Sequence, residues 1–136
     1  MRHSRPLILV IEDNLDNRTL LKDMLNTMSC DVIEAVNGEE GVEMATNKQP
    51  SLILLDLSLP RKDGWIAARE IKNEPSTAHV PIIALTAHAM KGDRERALGV
   101  GCDDYVTKPI DIVSLIKKLK TYLTNVPSDE VDGNDS

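Results

Sequence analysis

Two runs of apolar residues, each closed by carboxylates, constrain the fold of this chain most. The first run covers residues 7–11 and ends at Glu12-Asp13, and the second covers residues 52–55 and ends at Asp56. Near-continuous apolar runs of this length are typical of strands buried on both faces of a parallel sheet. The carboxyl ends of such strands share one edge of the sheet, where open α/β folds bind their ligands. We therefore expect three carboxylates to lie together at that edge.

Carboxylates that converge in this way repel one another unless a cation joins them. Mg²⁺ takes oxygen ligands in octahedral geometry and keeps several of its waters. Asp13, Asp56 and one backbone carbonyl group suit such an ion, with Glu12 holding one of its waters. An acidic Mg²⁺ pocket is therefore the leading hypothesis, with Asp56 available as a nucleophile toward phosphorus.

Strand-like and helix-like segments alternate five times along the chain. That order predicts right-handed βαβ crossovers, and hence an α/β fold with a doubly wound five-stranded parallel sheet of order 2-1-3-4-5 and helices on both faces. Two helices carry start signals, a capping Asn14 and a capping-box-like pair of Asn37 and Glu40. The predicted strands cover residues 7–11, 32–35, 51–56, 82–86 and 104–107, and the predicted helices cover 15–28, Asn37 to the residue before Pro50, 65–73, 90–98 and 110–124.

Four of these strands end in side chains that suit phosphoryl transfer, and their edges are neighbours at the topological switch point of such a sheet. Thr86 closes the fourth strand and Lys108 follows the fifth, beside the acidic ends of the first and third. Phosphoryl transfer needs little covalent help but much neutralisation of charge on the phosphoryl oxygens. Mg²⁺, the Lys108 ammonium and the Thr86 hydroxyl would supply that neutralisation.

The composition and charge exclude several classes of function. The chain has 136 residues, enough for one domain, and its formal net charge of −6 argues against unaided binding to nucleic acid or anionic lipid. Cys30 and Cys102 have neither metal-ligand nor disulfide spacing, so we expect reduced, largely buried thiols. No apolar stretch approaches the about 18 residues of a membrane span, which makes a cytoplasmic protein the default expectation.

The motifs at the strand ends stand in register along the chain: Glu12-Asp13, Asp56 followed by Pro60 and Gly64, Thr86-Ala87, and Lys108-Pro109. Together they resemble the receiver domain of response regulators in bacterial two-component signalling, a CheY-like α/β fold. The likeness covers about residues 6–124. Residues 1–5 then form an N-terminal extension, and residues 125–136 form an acidic tail that we expect to be disordered.

This resemblance implies a phosphorylation-dependent switch in a phosphorelay. By the resemblance, Asp56 takes a phosphoryl group from a sensor histidine kinase or a histidine phosphotransfer protein. The chain then catalyses only its own phosphorylation and dephosphorylation. Glu12, Asp13 and Asp56 are implied to hold Mg²⁺ together with the backbone carbonyl group of Ser58.

The same resemblance makes Thr86 and Tyr105 the switch pair, which reports the phosphoryl group to a downstream protein. The expected output surface is the face made by the fourth helix, the fifth strand and the fifth helix. Ser58 and His88 would flank the phosphoryl group and tune the lifetime of the phosphorylated state. The peptide bond of Lys108-Pro109 is expected to be cis, a minority form even before proline.

Other functions share parts of this pattern. A Mg²⁺-dependent phosphatase of the aspartyl-nucleophile type also forms an acyl phosphate, but it usually carries an Asp two residues after its nucleophile, where this chain has Ser58. A flavin or dinucleotide site shares the fold, but the acidic turn 12–16 lacks the glycines that cradle a phosphate. Within the family, the chain looks like a stand-alone DivK-type regulator, with a receiver of a hybrid kinase as the alternative. A phosphorylation-dependent dimer is left open.

Overall fold

The computed structural model describes residues 5–57, 64–86 and 93–124. Ser58, His88 and the predicted tail 125–136 lie outside the described residues. The strands are β1 (Leu7–Ile11), β2 (Asp31–Ala35), β3 (Leu52–Asp56), β4 (Ile82–Thr86) and β5 (Asp104–Thr107). The helices are α1 (Leu15–Thr27), α2 (Gly38–Lys48), α3 (Gly64–Asn73), α4 (Asp93–Gly99) and α5 (Ile112–Thr124).

The strands form one parallel sheet in the order β2-β1-β3-β4-β5, which confirms the predicted doubly wound topology. β1 lies between β2 and β3, with Leu9 opposite Ile33 of β2 and Ile53 of β3. From β1 the chain passes to β2 on one side and then returns past β1 to β3 on the other, so the topological switch point falls between β1 and β3. The carboxyl ends of β1 and β3 therefore border the crevice in which such folds bind ligands.

The two faces of the sheet carry separate apolar clusters, because successive side chains of a strand point to opposite faces. Ile8 and Val10 of β1 pack with residues of α1 and α5, whereas Leu9 and Ile11 pack with residues of α2, α3 and α4. Full burial of a Leu or Ile side chain contributes about 1.5–3 kcal/mol. With helices on both faces, strands β3 and β4 are buried throughout, which explains their unbroken apolar sequence.

The helix starts follow local signals, with one departure from the prediction. Asn14 caps α1 as predicted, its Oδ1 accepting a hydrogen bond from the Asn17 N–H at 2.9 Å. Asn37 caps α2, its Oδ1 accepting from the Glu40 N–H at 2.8 Å. The predicted capping box is wrong in its second half, because the Glu40 carboxylate accepts from the Val36 N–H instead of the Asn37 N–H. The return hydrogen bond thus reaches one residue further out from the helix.

The fourth helix is predicted over residues 90–98, and the structure describes it only in part. Its described residues begin at Asp93, and residues 90–92 lie outside the description. Gly99 and Gly101 are the two residues that the sequence predicts to close this helix. Gly99 belongs to its last turn, and Gly101 closes it as predicted, with φ at +106°, in the left-handed region that glycine adopts without steric cost. Its N–H and that of the next residue donate to carbonyl groups of the last turn, as in a Schellman motif.

The two cysteines are buried free thiols, as predicted. Cys30 packs with the α1/α5 face and Cys102 with the α2–α4 face. Burial raises the pKa of Cys102 to about 12, so this thiol stays protonated near neutral pH. In the described ranges, no helix combines the length and the apolar character needed to cross a bilayer.

Candidate functional site

Side-chain alternation determines which residues meet at the carboxyl edge of the sheet. Glu12 continues the β1 positions that face α1 and α5, and Asp56 ends the corresponding positions of β3. Lys108 follows β5, two residues after Val106, which faces the same helices. Lys108 and Glu12 are 96 residues apart in the chain. The parallel register nevertheless brings both to one pocket with Asp56.

The Lys108 ammonium lies between two buried carboxylates. Its Nζ is 3.0 Å from Glu12 Oε1 and 3.1 Å from Asp56 Oδ2. The Glu12 and Asp56 side chains are 0% and 3% exposed, and that of Lys108 is 19% exposed. A buried charge without a partner is costly, so these three groups depend on one another. Among these described side chains, the one ammonium contacts both carboxylates, so two acidic groups face a single positive charge.

Burial and the neighbouring charges together shift the pKa values of Glu12 and Lys108. Burial, reinforced by the charge of Asp56 and opposed by the hydrogen bond from Lys108, raises the pKa of Glu12 from 4.5 to about 7. Burial on its own would lower the pKa of Lys108. The hydrogen bond to Glu12 and the charge of Asp56 outweigh burial, and the pKa of Lys108 is raised. Lys108 therefore stays an ammonium, while Glu12 titrates near neutral pH.

Asp13 adds a third carboxylate at the mouth of the pocket. One oxygen each from Glu12, Asp13 and Asp56 lies within 4.8 Å of the others, with Asp13 exposed and the other two buried. A hard divalent cation such as Mg²⁺ takes oxygen ligands and carries the charge that this pocket lacks. The donor set fits such an ion, because it combines three carboxylates with access from solvent at Asp13.

Hydrogen bonds hold the acidic pair in place. The Glu12 N–H donates to the Ala35 carbonyl oxygen at 3.0 Å, and the Asn14 N–H donates to Glu12 Oε2 at 3.2 Å. The Arg18 Nη1 group donates to the carbonyl oxygens of Glu12 and Asp13 at 3.0 and 3.2 Å. Arg18 is not among the site residues predicted from the sequence. Its only signal was a basic residue at the start of the helix that follows the acidic pair.

The start of α3 lies so close to β3 that only glycine fits there. A Cβ atom on Gly64 would lie 2.4 Å from the Asp56 carbonyl oxygen and 2.5 Å from the Leu57 Cα. Both contacts are with backbone atoms, so a side chain at this position would displace the end of β3 and Asp56 with it. This close approach is the physical reason for one glycine of the sequence motif.

The predicted switch residues lie on the face opposite the ammonium. Tyr105 pairs with Ala84 in the sheet and packs with the apolar cluster under α2, α3 and α4. Thr86, buried at the end of β4, is two positions beyond Ala84 and so shares that face. The Lys108 N–H donates to the Thr86 carbonyl oxygen at 2.6 Å, and the bond of Lys108 to Pro109 is cis. The end of β4 is thus joined to the residue that carries the ammonium.

The raised pKa of Glu12 predicts a loss of stability as pH increases. Between pH 4.5 and about 7 the folded protein holds a proton on Glu12 that the unfolded chain has released. The contribution of this proton to the free energy of unfolding is therefore complete below pH 4.5 and is lost as the pH rises through about 7. We expect the free energy of unfolding of the metal-free protein to fall by about 2–3 kcal/mol from pH 5 to pH 8. Urea titrations in EDTA measure it. Glu12→Gln should remove this part of the slope, and equal slopes in both proteins would contradict the assignment.

The parallel fold, the acidic pocket with its lysine and the cis peptide bond define a class of protein, the receiver domains of response regulators. The family described as "Response regulator receiver domain" matches residues 8–120. The chain therefore belongs to the response regulator receiver family, as the sequence motifs predict.

The similar proteins include a response regulator and the receiver domain of a sensor histidine kinase. The polar-differentiation response regulator DivK of Brucella anthropi is 37% identical over 116 residues, which cover 85% of this chain and 94% of DivK. The receiver domain of the sensor histidine kinase PA1611 of Pseudomonas aeruginosa is 37% identical with a TM-score of 0.83, over 90% of this chain and 100% of that domain. That structure has a magnesium ion coordinated in its active site cleft.

A second similar structure contains a phosphotransfer partner. It is the co-crystal structure of the Saccharomyces cerevisiae histidine phosphotransfer signalling protein Ypd1 with the receiver domain of its downstream response regulator Ssk1. The match is 32% identical with a TM-score of 0.84 and covers 94% of this chain and 95% of the other. Receiver domains of the family thus include one that binds a histidine phosphotransfer protein.

Proposed function

We propose that this chain is a phosphoacceptor response regulator of a two-component phosphorelay, with Asp56 as the residue that takes the phosphoryl group. The observation that carries the proposal is the Lys108 ammonium, which lies 3.1 Å from Asp56 Oδ2 in a pocket with two further carboxylates. Such a pocket combines a carboxylate nucleophile, a cation for the phosphoryl oxygens and ligands for a divalent ion.

The phosphodonor in this proposal is a phosphohistidine of a sensor histidine kinase or a histidine phosphotransfer protein. An Asp56 oxygen forms a bond to phosphorus while the P–N bond of the donor breaks, and the bonding electron pair returns to the imidazole nitrogen. The product is an acyl phosphate on Asp56. Charge in the transition state spreads over the equatorial oxygens, and the Lys108 ammonium is placed to neutralise part of it. The complex of Ypd1 with a similar receiver domain supports this class of donor.

Mg²⁺ is the cation we propose for the acidic pocket. Glu12, Asp13 and Asp56 would hold it, with the backbone carbonyl group of Ser58 as a further ligand. When bound, Mg²⁺ neutralises negative charge of the pocket carboxylates and of the phosphoryl oxygens. The magnesium ion in the cleft of the similar Pseudomonas receiver domain supports this choice.

We further propose that Thr86 and Tyr105 relay the arrival of the phosphoryl group. The Thr86 hydroxyl moves toward the phosphoryl oxygens, and the Tyr105 ring moves into the space it leaves. The face of α4, β5 and α5 then presents a different surface to a downstream protein. A change from 1:99 to 99:1 between two states needs about 5.5 kcal/mol, and hydrogen bonds to a charged group contribute about 1.5–3 kcal/mol each. Ser58 and His88 are proposed to tune how long the phosphorylated state lasts.

In this proposal the chain is not an enzyme acting on a separate substrate, and it catalyses only its own phosphorylation and dephosphorylation. The receiver unit is taken to be residues 6–124, with residues 1–5 and 125–136 as an extension and a tail. A stand-alone regulator and a receiver of a hybrid kinase use the same site, and relatives at 37% identity come from both. We propose a cytoplasmic location, which the free cysteines support because reducing compartments keep thiols unpaired.

Intact mass spectrometry after incubation with acetyl phosphate tests the function. With Mg²⁺ we expect a gain of one phosphoryl group, and with EDTA we expect none. Borohydride should convert the adduct to the homoserine that an acyl phosphate of aspartate yields. An adduct that resists borohydride, or one that forms equally in EDTA, would contradict the proposal, as would repeated turnover of a phosphomonoester.

A further inference from the structure

We propose that Arg18 is a positioning residue for the cation site, holding the backbone of Glu12 and Asp13 so that both side chains reach the pocket. The inference rests on the proposed function, because it concerns the Mg²⁺ ligands named there. The Arg18 Nη1 group donates to both carbonyl oxygens, at 3.0 Å for Glu12 and 3.2 Å for Asp13. The Nε of the same guanidinium donates to Glu34 Oε1 of β2 at 3.1 Å.

The acidic pair needs such support because, beyond Ile11, the hydrogen bond from the Glu12 N–H to the Ala35 carbonyl oxygen is the last that joins it to β2 among the described residues. Ile11 is the last residue of β1 in the register with β2 and β3. The chain must turn there into α1, and the two carbonyl groups that follow have left the strand pairing. Each is a strong acceptor. A planar guanidinium offers donors at fixed angles, so one side chain can fix both carbonyl groups relative to β2.

The position of Arg18 is electrostatically unfavourable for a positive charge in two respects. It lies near the start of α1, the end of a helix that favours anions over cations. It also lies beside a pocket proposed to bind a divalent cation, which its positive charge repels. The Arg18 side chain is only 14% exposed, so this charge is poorly screened by solvent. Any benefit of Arg18 to the site must therefore come from its hydrogen bonds. Loss of Mg²⁺ affinity on removing Arg18 would indicate positioning of the ligands, whereas a gain would indicate repulsion of the cation.

The chain offers a matched control for this effect. Lys22 lies on the same helix, and its Nζ is 3.5 Å from Glu34 Oε2. Lys22→Met therefore removes one positive charge beside the same carboxylate without removing a donor to Glu12 or Asp13. Arg18→Met removes both the charge and the hydrogen bonds. Arg18→Lys keeps the charge, but a single ammonium cannot span Glu34 and both carbonyl groups as the guanidinium does.

Isothermal titration of the metal-free proteins with Mg²⁺, at constant ionic strength, tests the inference. We expect Arg18→Met to bind Mg²⁺ about tenfold more weakly, the range for residues that support metal ligands. Arg18→Lys should also be weakened severalfold, and Lys22→Met should stay within about twofold of wild type because its charge is half exposed and screened. Urea unfolding in EDTA measures stability separately, since a purely structural role would lower stability and leave the affinity unchanged.

Each outcome bears on one claim. Equal or tighter Mg²⁺ binding by Arg18→Met overturns the positioning role and leaves the proposed function intact. If Arg18→Met does not fold, Arg18→Lys decides, and wild-type affinity in that variant overturns the inference. Equal weakening in Lys22→Met would assign the effect to the Glu34 ion pairs and overturn it too. A wild-type protein that binds no Mg²⁺ would instead contradict the proposed cation site, and the positioning role with it.

Discussion

Asp56→Asn is expected to abolish phosphoryl uptake from acetyl phosphate while leaving the protein folded. The amide has nearly the same size as the carboxylate, but it is not a nucleophile toward phosphorus at neutral pH. The substitution also leaves Lys108 paired with Glu12, 3.0 Å away, so no buried cation loses all its partners. Intact mass spectrometry in the presence of Mg²⁺ should show one phosphoryl group on the wild type and none on the variant.

An exposed aspartate gives the control for this experiment. Asp23 lies on α1 and is exposed, and Asp23→Asn should take up the phosphoryl group like the wild type. Circular dichroism and urea unfolding of both variants show that any loss of uptake is not a loss of fold. Equal adducts on wild type and Asp56→Asn would place the reaction on another residue and remove the basis of the proposed function.

Lys108→Met is expected to cost about 3 kcal/mol of the free energy of unfolding of the metal-free protein at pH 8, where Glu12 is ionised. It leaves the carboxylates of Glu12 and Asp56, at most 3% exposed, without the ammonium between them. Removing one partner of a buried ion pair costs about 3–5 kcal/mol. Urea titrations in EDTA measure the loss. Saturating Mg²⁺ should restore part of it, because a divalent cation replaces the missing charge.

The surface pair of Lys118 with Asp104 supplies the comparison. Its atoms are also 3.0 Å apart, but the side chains are 35% and 28% exposed, so Lys118→Met should cost at most about 1 kcal/mol. Adding Glu12→Gln to Lys108→Met should recover part of the lost stability, since it removes one of the two facing charges. A cost for Lys108→Met no larger than that for Lys118→Met would show that the ammonium does not neutralise the pocket.

Much of the fold and the site followed from local patterns. The apolar runs before Glu12 and Asp56 predicted buried parallel strands, and the alternation of strands and helices predicted the sheet order that is observed. The carboxyl ends of parallel strands meet at one edge, so the acidic cluster followed from topology alone. The helix start at Asn14 was also local, because a capping side chain bonds to backbone a few residues away.

Other features depended on atoms that the chain order keeps far apart. The close approach of Gly64 to the Asp56 carbonyl oxygen comes from how α3 meets β3, and the hydrogen bond of Glu40 to Val36 depends on the angle at which the chain enters α2. The shared ammonium of Lys108, and with it the raised pKa of Glu12, requires the register of β1, β3 and β5 to be known.

Arg18 shows most clearly which features depend on the sequence and which on the tertiary structure. Sequence by itself determined which residue types stand at the strand ends, and so the kind of chemistry available, because hydrophobic patterning and strand direction are local properties. Only the tertiary structure decided that the Arg18 guanidinium, on α1, bridges the Glu34 carboxylate and the carbonyl oxygens of the acidic pair 12–13. A side-chain hydrogen bond is made at about 3 Å, and that distance depends on how α1 packs on the sheet.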